Sequence, residues 1–268
     1  MKIALAQMNI SDDLSENIAG LNRLGIRAAE EKADLVILPE LWNTPFINER
    51  ILAHAKDADQ LKEQLSALAR GLHLWIIAGS LPVMENGKLY NRSLVYDDAG
   101  RLVSHADKCH LLEVHTKKNV YKEADVFEPG ERLVSFDSPW GIIALLICFD
   151  IRFPEAARLL CEEAFLLAVP AGFNASVGPK HWKPVLEARA IENEVYVVGV
   201  NGAARSYGQY DSYGHSMAVS PDGTVLMEMG KQEDLQCFEA DPALPARIRS
   251  RSPYFSLRRA DLYSLEGK

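Results

Sequence analysis

The chain has 268 residues, 48% hydrophobic and 25% charged, with a formal net charge of −8. Its length permits burial of roughly 70–75% of the unfolded surface in one large unit. The acidic balance, with neither a basic stripe nor a run of like charges, argues against nucleic acid or an acidic membrane as partner and for small molecules or another copy of the chain.

In chain order, Met1–Asn9 carries one basic residue and a brief apolar run interrupted by Gln7, without a signal cleavage site, and reads as the first strand. From Asp13 to Lys32, Ile18, Leu21, Gly25 and Ala28 recur at helical spacing with Asp12 or Asp13 as a cap, and Asp34–Leu38 returns as a strand. Asp57–Arg70 repeats the helix and Leu74–Ser80 the strand; Lys88–Tyr96 and Arg101–Asp107 flank the hairpin signal at residues 97–100. Strands are expected near Leu133, Ile143, Leu167, Val197 and Met217, with helices at Pro154–Glu163 and Pro179–Glu194. This alternation implies an α/β fold with helix-covered strands, and periodicity alone allows either a doubly wound sheet or a sandwich of two sheets. No linker divides the chain, so one domain is expected over 1–268, with 241–268, rich in proline at its start, as a C-terminal extension wrapping a neighbour. The longest apolar run is far shorter than the ~20 residues of a membrane span. Cys109, Cys148, Cys161 and Cys237 show no C-x-x-C spacing, which suits a reducing cytoplasm.

Three segments carry chemistry. The run from Gly141 to Glu155 is a short isoleucine-rich strand ending at Cys148, followed by polar residues and Pro154, a helix-starting residue. Cys148 is therefore expected on a strand-to-helix turn, where backbone N–H groups and a positive helix end favour the thiolate. Asp34–Trp42 delivers Glu40 just past a second apolar strand, and Lys108 follows a polar one. A carboxylate, an amine and a thiol make a complete set for acyl transfer: general base, cationic stabiliser and nucleophile. Viewed singly, Cys148 reads as a small buried hydrophobe, Glu40 as a cap and Lys108 as a surface lysine. His105, His110 and His115 match no H-E-x-x-H spacing and, with His181, are read as structural, so no metal is expected.

Together the segments Leu38-Pro39-Glu40, Lys108-Cys109-His110-Leu111 and Cys148-Phe149-Asp150-Ile151-Arg152-Phe153 resemble the Glu–Lys–Cys motifs of the nitrilase superfamily of carbon–nitrogen hydrolases, in the same order. The segment from Glu123 to Gly130 is similar to the one that brings a second glutamate into that site. The stretches at residues 171–182, 189–193, 213–216 and 258–263 are most similar to the omega-amidase branch. Two departures stand out: Phe149 follows the nucleophile where the family usually has tyrosine or tryptophan, and Ser176-Val177 replaces a threonine pair.

The resemblance implies a four-layer αββα sandwich, usually doubled across a homodimer interface. It implies Glu40 as base, Lys108 with the Phe149 N–H as oxyanion stabilisers, Cys148 as nucleophile and Glu123 holding Lys108, although a solvated loop acid is the plain alternative for Glu123. The expected activity is hydrolysis of a small carboxylate-bearing amide such as 2-oxoglutaramate or 2-oxosuccinamate, without a cofactor. Competing expectations are a deaminated-glutathione amidase, a nitrilase and a catalytically silent scaffold. Arg152, Phe173 and Asn174 are the candidate substrate-binding residues, with anchoring of the turn by salt bridges as the alternative for Arg152.

Overall fold

A computed structural model describes residues 1–115 and 120–267. In chain order its strands are β1 (Lys2–Gln7), β2 (Leu35–Ile37), β3 (Trp75–Ile77), β4 (Leu81–Glu85), β5 (Lys88–Tyr96), β6 (Leu102–Asp107), β7 (Glu113–His115), β8 (Val120–Lys122), β9 (Val134–Ser138), β10 (Gly141–Leu145), β11 (Leu166–Ala171), β12 (Tyr196–Asn201), β13 (Met217–Val219), β14 (Val225–Glu228) and β15 (Asp234–Glu239). The helices are α1 (Leu14–Glu30), α2 (Asn48–His54), α3 (Ala58–Leu72), α4 (Pro154–Leu160), α5 (Gly178–Asn193) and α6 (Leu244–Arg249). One sheet runs β15-β1-β2-β3-β5-β4, with β6 on the other edge of β5, and the second runs β14-β13-β12-β11-β10-β9. The parallel pairs β1–β2, β2–β3, β10–β11 and β11–β12 form the centres, and antiparallel strands form the margins.

Side chains alternate along each central strand, and both faces are covered. Ile3, Leu5, Leu35 and Ile37 of the first sheet meet Ile143, Leu145, Leu166 and Val198 of the second in one apolar layer. The intervening Ala4, Ala6 and Val36 lie beneath Leu21, Leu24, Leu61 and Leu65 of α1 and α3. On the opposite outer face Ala144, Leu167 and Val197 lie beneath Ala157, Leu160, Trp182 and Leu186 of α4 and α5. The result is the expected αββα order, and two-sided burial is why the central strands read as unbroken apolar runs. No helix is long and apolar enough to cross a membrane among the described residues.

The local signals hold with defined exceptions. Asp13 caps α1, its Oδ1 accepting the Ser15 N–H at 2.8 Å. The single strand expected over Leu74–Ser80 instead stops at Ile77, because Gly79 adopts φ +54° and turns the chain into β4. The helix expected over Pro154–Glu163 ends at Leu160. The segment beyond residue 241 lies partly on its own chain: Arg249 donates to the carbonyls of Cys161, Glu162 and Asn193 at 2.7–2.9 Å.

Candidate active site

Four segments deliver the chemistry-bearing side chains to one place. Glu40 follows β2, with its N–H donated to the Ala171 carbonyl of the second sheet at 3.3 Å. The next residue, Leu41, has φ +47°, and its N–H donates to Ser80 Oγ at 2.9 Å. Lys108 continues the β5–β6 ladder: its N–H donates to the Asn91 carbonyl at 3.0 Å and its own carbonyl accepts the Gly130 N–H at 2.8 Å. Glu123 opens a short turn after β8, its N–H donating to the Leu112 carbonyl at 2.9 Å and its carboxylate accepting the Leu112 N–H. Cys148 ends the run after β10 with φ +45°, a strained conformation for a residue with a Cβ, and opens a 3-10 turn over Cys148–Arg152.

The ionic centre is buried. Lys108 is 0% exposed, and its Nζ lies 2.9 Å from Glu40 Oε1 and 2.7 Å from Glu123 Oε1. These contacts exclude the surface-lysine and solvated-acid readings of Lys108 and Glu123. Asn91 Nδ2 donates to the same Glu40 Oε1 at 2.8 Å, whereas Glu40 Oε2 is buried without a partner among the described residues. A Cβ on Gly172 would stand 3.2 Å from that oxygen, a tight contact that glycine avoids.

Electrostatics follow from this geometry. Burial opposes the charge of Lys108, but Glu123 and Glu40 outweigh it and hold the ammonium well above the usual lysine range. Burial pushes the Glu123 carboxyl up to about 7, with the Glu40 charge adding to the rise and Lys108 opposing it. Burial and then Glu40 push the Cys148 thiol well above its ordinary value, while Lys108 and the Gly172 N–H only partly offset them. This opposes the expected thiolate: α4 begins only at Pro154, beyond the 3-10 turn, and burial beside the Glu40 carboxylate favours the neutral thiol.

Around this centre, Lys108 Nζ stands 5.5 Å from the Phe46 ring centroid, and Phe46 also meets Tyr121 at 5.9 Å and Tyr210 at 5.6 Å. Tyr210 donates to the Gly172 carbonyl at 2.7 Å. Arg152 lies over the rings of Phe149 and Phe173, at 5.9 and 5.1 Å, and contacts His181 Nδ1 at 3.2 Å. It forms no ion pair with a carboxylate among the described residues, so the salt-bridge anchor considered for it is absent there. Phe173 is buried against Trp182, and Asn174 Oδ1 accepts the Ser176 N–H at 2.8 Å in a local turn.

The histidines separate. His110 pairs with Asp150 at 2.7 Å and stacks on Phe153, exposed His115 pairs with Glu113, and His105 lies on β6. Among the described residues no group of three or more His, Cys, Asp or Glu side chains could hold a metal. Asn91, Phe46 and Tyr210 escaped the sequence reading, and Asp150 entered it only as part of the Cys148–Phe153 motif, with no role.

Residues 2–249 match the carbon–nitrogen hydrolase family, to which the chain therefore belongs. It is a hydrolase of non-peptide carbon–nitrogen bonds, with the fold of the nitrilase superfamily. Within that superfamily it falls in the omega-amidase branch: it is 34% identical over 270 residues to the omega-amidase of Bos taurus, covering 100% of this chain and 98% of the relative. The C. elegans NitFhit protein superimposes with a TM-score of 0.94 at 32% identity, over 98% of this chain and 66% of that one. An amidase from Nesterenkonia sp. AN1, solved with the acetamide moiety of fluoroacetamide added covalently to its active site cysteine, matches with a TM-score of 0.84 at 25% identity, over 98% and 95% of the two chains.

Proposed function

We propose that the chain is an omega-amidase-like enzyme that hydrolyses a small carboxylate-bearing amide, such as 2-oxoglutaramate or 2-oxosuccinamate, to the acid and ammonia through a thioester on Cys148. The observation that carries this reading is the buried Glu40–Lys108–Glu123 arrangement beside a neutral thiol. Glu40 takes the Cys148 proton as sulfur attacks the amide carbon and the carbonyl π electrons move to oxygen. Lys108 and the Phe149 N–H stabilise that oxyanion, because the first amides of a helical turn have no acceptor within it. Glu40 then gives the proton to the amide nitrogen, the carbon–nitrogen bond breaks and ammonia leaves. Water, deprotonated by Glu40, attacks the thioester, and collapse of the second oxyanion returns the proton to the thiol and releases the acid.

Glu123 holds Lys108 in place, and the two carboxylates together fix the position of the ammonium. Arg152, between Phe149 and Phe173 and without an acidic partner among the described residues, is the receptor for the substrate carboxylate, with the Phe173 ring as a wall. Asn174 shapes the loop that carries Phe173. A second copy of the chain is the expected protein partner, supported by exposed Leu257, Leu262 and Tyr263; light scattering tests for a dimer.

The deciding experiment measures ammonia release from 2-oxoglutaramate, succinamate, butyramide, a short nitrile and a glutathione-like amide. Preference for the first two, lost in Arg152→Ala but retained toward butyramide, is the expected result. Preference for the nitrile or the glutathione-like amide, or silence on all five, overturns the reading. EDTA is expected to leave the rate unchanged, and reversible loss restored by zinc would contradict the proposed chemistry.

A further inference from the structure

One polar atom near the ionic centre has no use in this scheme. The Tyr121 hydroxyl oxygen is buried and lacks a hydrogen-bond partner among the described residues. Its ring sits on β8, two positions before Glu123, and meets the Phe46 ring that Lys108 also faces. Phe46 therefore links the two, its ring centroid 5.9 Å from that of Tyr121 and 5.5 Å from Lys108 Nζ, and the charges of Glu123, Lys108 and Glu40 all act on the phenol. Burial is the main cause, with Glu123 adding, that drives its ionisation well above the usual phenol range, so it remains an O–H donor throughout the working pH range.

A buried donor left unpaired is costly, and such groups in folded proteins call for an explanation. Tyr210, the other phenol against Phe46, is satisfied by the Gly172 carbonyl, so lack of a partner is not general to this aromatic cluster. The substrate group that approaches Lys108 is the carbonyl oxygen, and it is an acceptor whose negative charge grows as sulfur attacks. We infer that Tyr121 is a further catalytic residue, its hydroxyl donating a hydrogen bond to the substrate carbonyl oxygen and sharing the oxyanion with Lys108. The inference rests on the amidase reading above and adds to it a third donor, one that makes its full contribution only in the transition state.

Tyr121→Phe removes the hydroxyl and keeps the ring on Phe46. With succinamate as substrate, kcat and kcat/KM are expected to fall together by about a hundredfold, with KM nearly unchanged. Succinic semialdehyde provides a readout that a merely structural role would not move. Its aldehyde carbon bonds to Cys148 sulfur, the carbonyl π bond opens and the thiol proton ends on oxygen, giving a hemithioacetal whose oxygen occupies the oxyanion position. Its inhibition constant should weaken in Tyr121→Phe by a factor matching the loss in kcat/KM, while inhibition by succinate, which forms no such adduct, should be unaltered. Normal kcat in the folded variant, a change confined to KM, or equal weakening of aldehyde and succinate overturns the assignment. Wild-type protein inert toward 2-oxoglutaramate, succinamate and butyramide alike would overturn the amidase reading itself, and this inference with it.

Discussion

At the scale of single residues, the pairing of Lys108 with two buried carboxylates gives the ammonium two separable duties. Lys108→Met keeps the stem and deletes the charge, so the oxyanion role proposed for Lys108 predicts that kcat and kcat/KM fall together by about a hundredfold to a thousandfold. The same change leaves Glu40 and Glu123 buried without their cation, which should destabilise the protein by about 3–5 kcal/mol. One carboxylate of such a pair must take up a proton, so the stability deficit should widen from acid to neutral pH; denaturant melts at several pH values measure it. In the wild type, the raised Glu123 carboxyl favours folding when protonated. Its contribution is full below its ordinary value near 4.5 and is lost as pH rises through about 7. Glu123→Gln should flatten that slope. At Cys148 the neutral resting thiol predicts that iodoacetamide labelling depends on the neighbouring base: Glu40→Gln should slow alkylation at neutral pH, read by mass spectrometry, and Cys148→Ala should abolish turnover without loss of fold. Unchanged alkylation in Glu40→Gln would remove Glu40 as the base.

At the scale of elements, the site depends on a few tight contacts between chain segments. Gly79 has φ +54°, and a Cβ there would fall 1.9 Å from the Pro39 carbonyl oxygen, on the residue before Glu40. Gly79→Ala must therefore move the Glu40 turn, and activity is expected to fall more than thermal stability, as paired kinetics and melting would show. Asp150 joins two motifs in the same way: one oxygen accepts from the His110 N–H and ring at 2.7 Å, the other from the Ile147 N–H at 3.1 Å. It ties the end of the Lys108 segment to the Cys148 turn. Asp150→Ala should cost about 1.5–3 kcal/mol for each charged hydrogen bond lost, with a parallel fall in kcat. These links also show what a sequence can disclose. Glu40, Lys108 and Cys148 were legible because each follows an apolar strand or hairpin and because their motifs occur in order. Glu123 was legible only through resemblance, since nothing about its loop announces burial. Asn91 and Phe46 were not found, because a contact across strands depends on register, which local periodicity does not determine. The break at Gly79 was missed for a related reason: Leu74–Ser80 reads as one apolar run, and the carbonyl that requires glycine lies some forty positions earlier.

At the scale of the whole molecule, the apolar layer between the sheets sets the separation of Glu40 and Cys148. Ile37, fully buried in that layer, lies three residues before Glu40. Ile37→Ala is expected to cost about 2–5 kcal/mol, measurable by chemical denaturation. The fold was legible to the level of helix-covered α/β strands, and its division into two sheets followed only from resemblance, because a strand buried on both faces has the same apolar pattern in either arrangement. That division has a temporal consequence. Glu40, Asn91 and Lys108 ride on the first sheet and its loops, whereas Cys148 and Gly172 follow strands of the second, so the proposed base and nucleophile occupy opposite banks of one seam. Neither bank alone holds a competent pair. During refolding, hydrolysis should return only when the banks close, lagging the recovery of helical signal, and turnover then serves as a clock for the last event of assembly rather than for the formation of its parts.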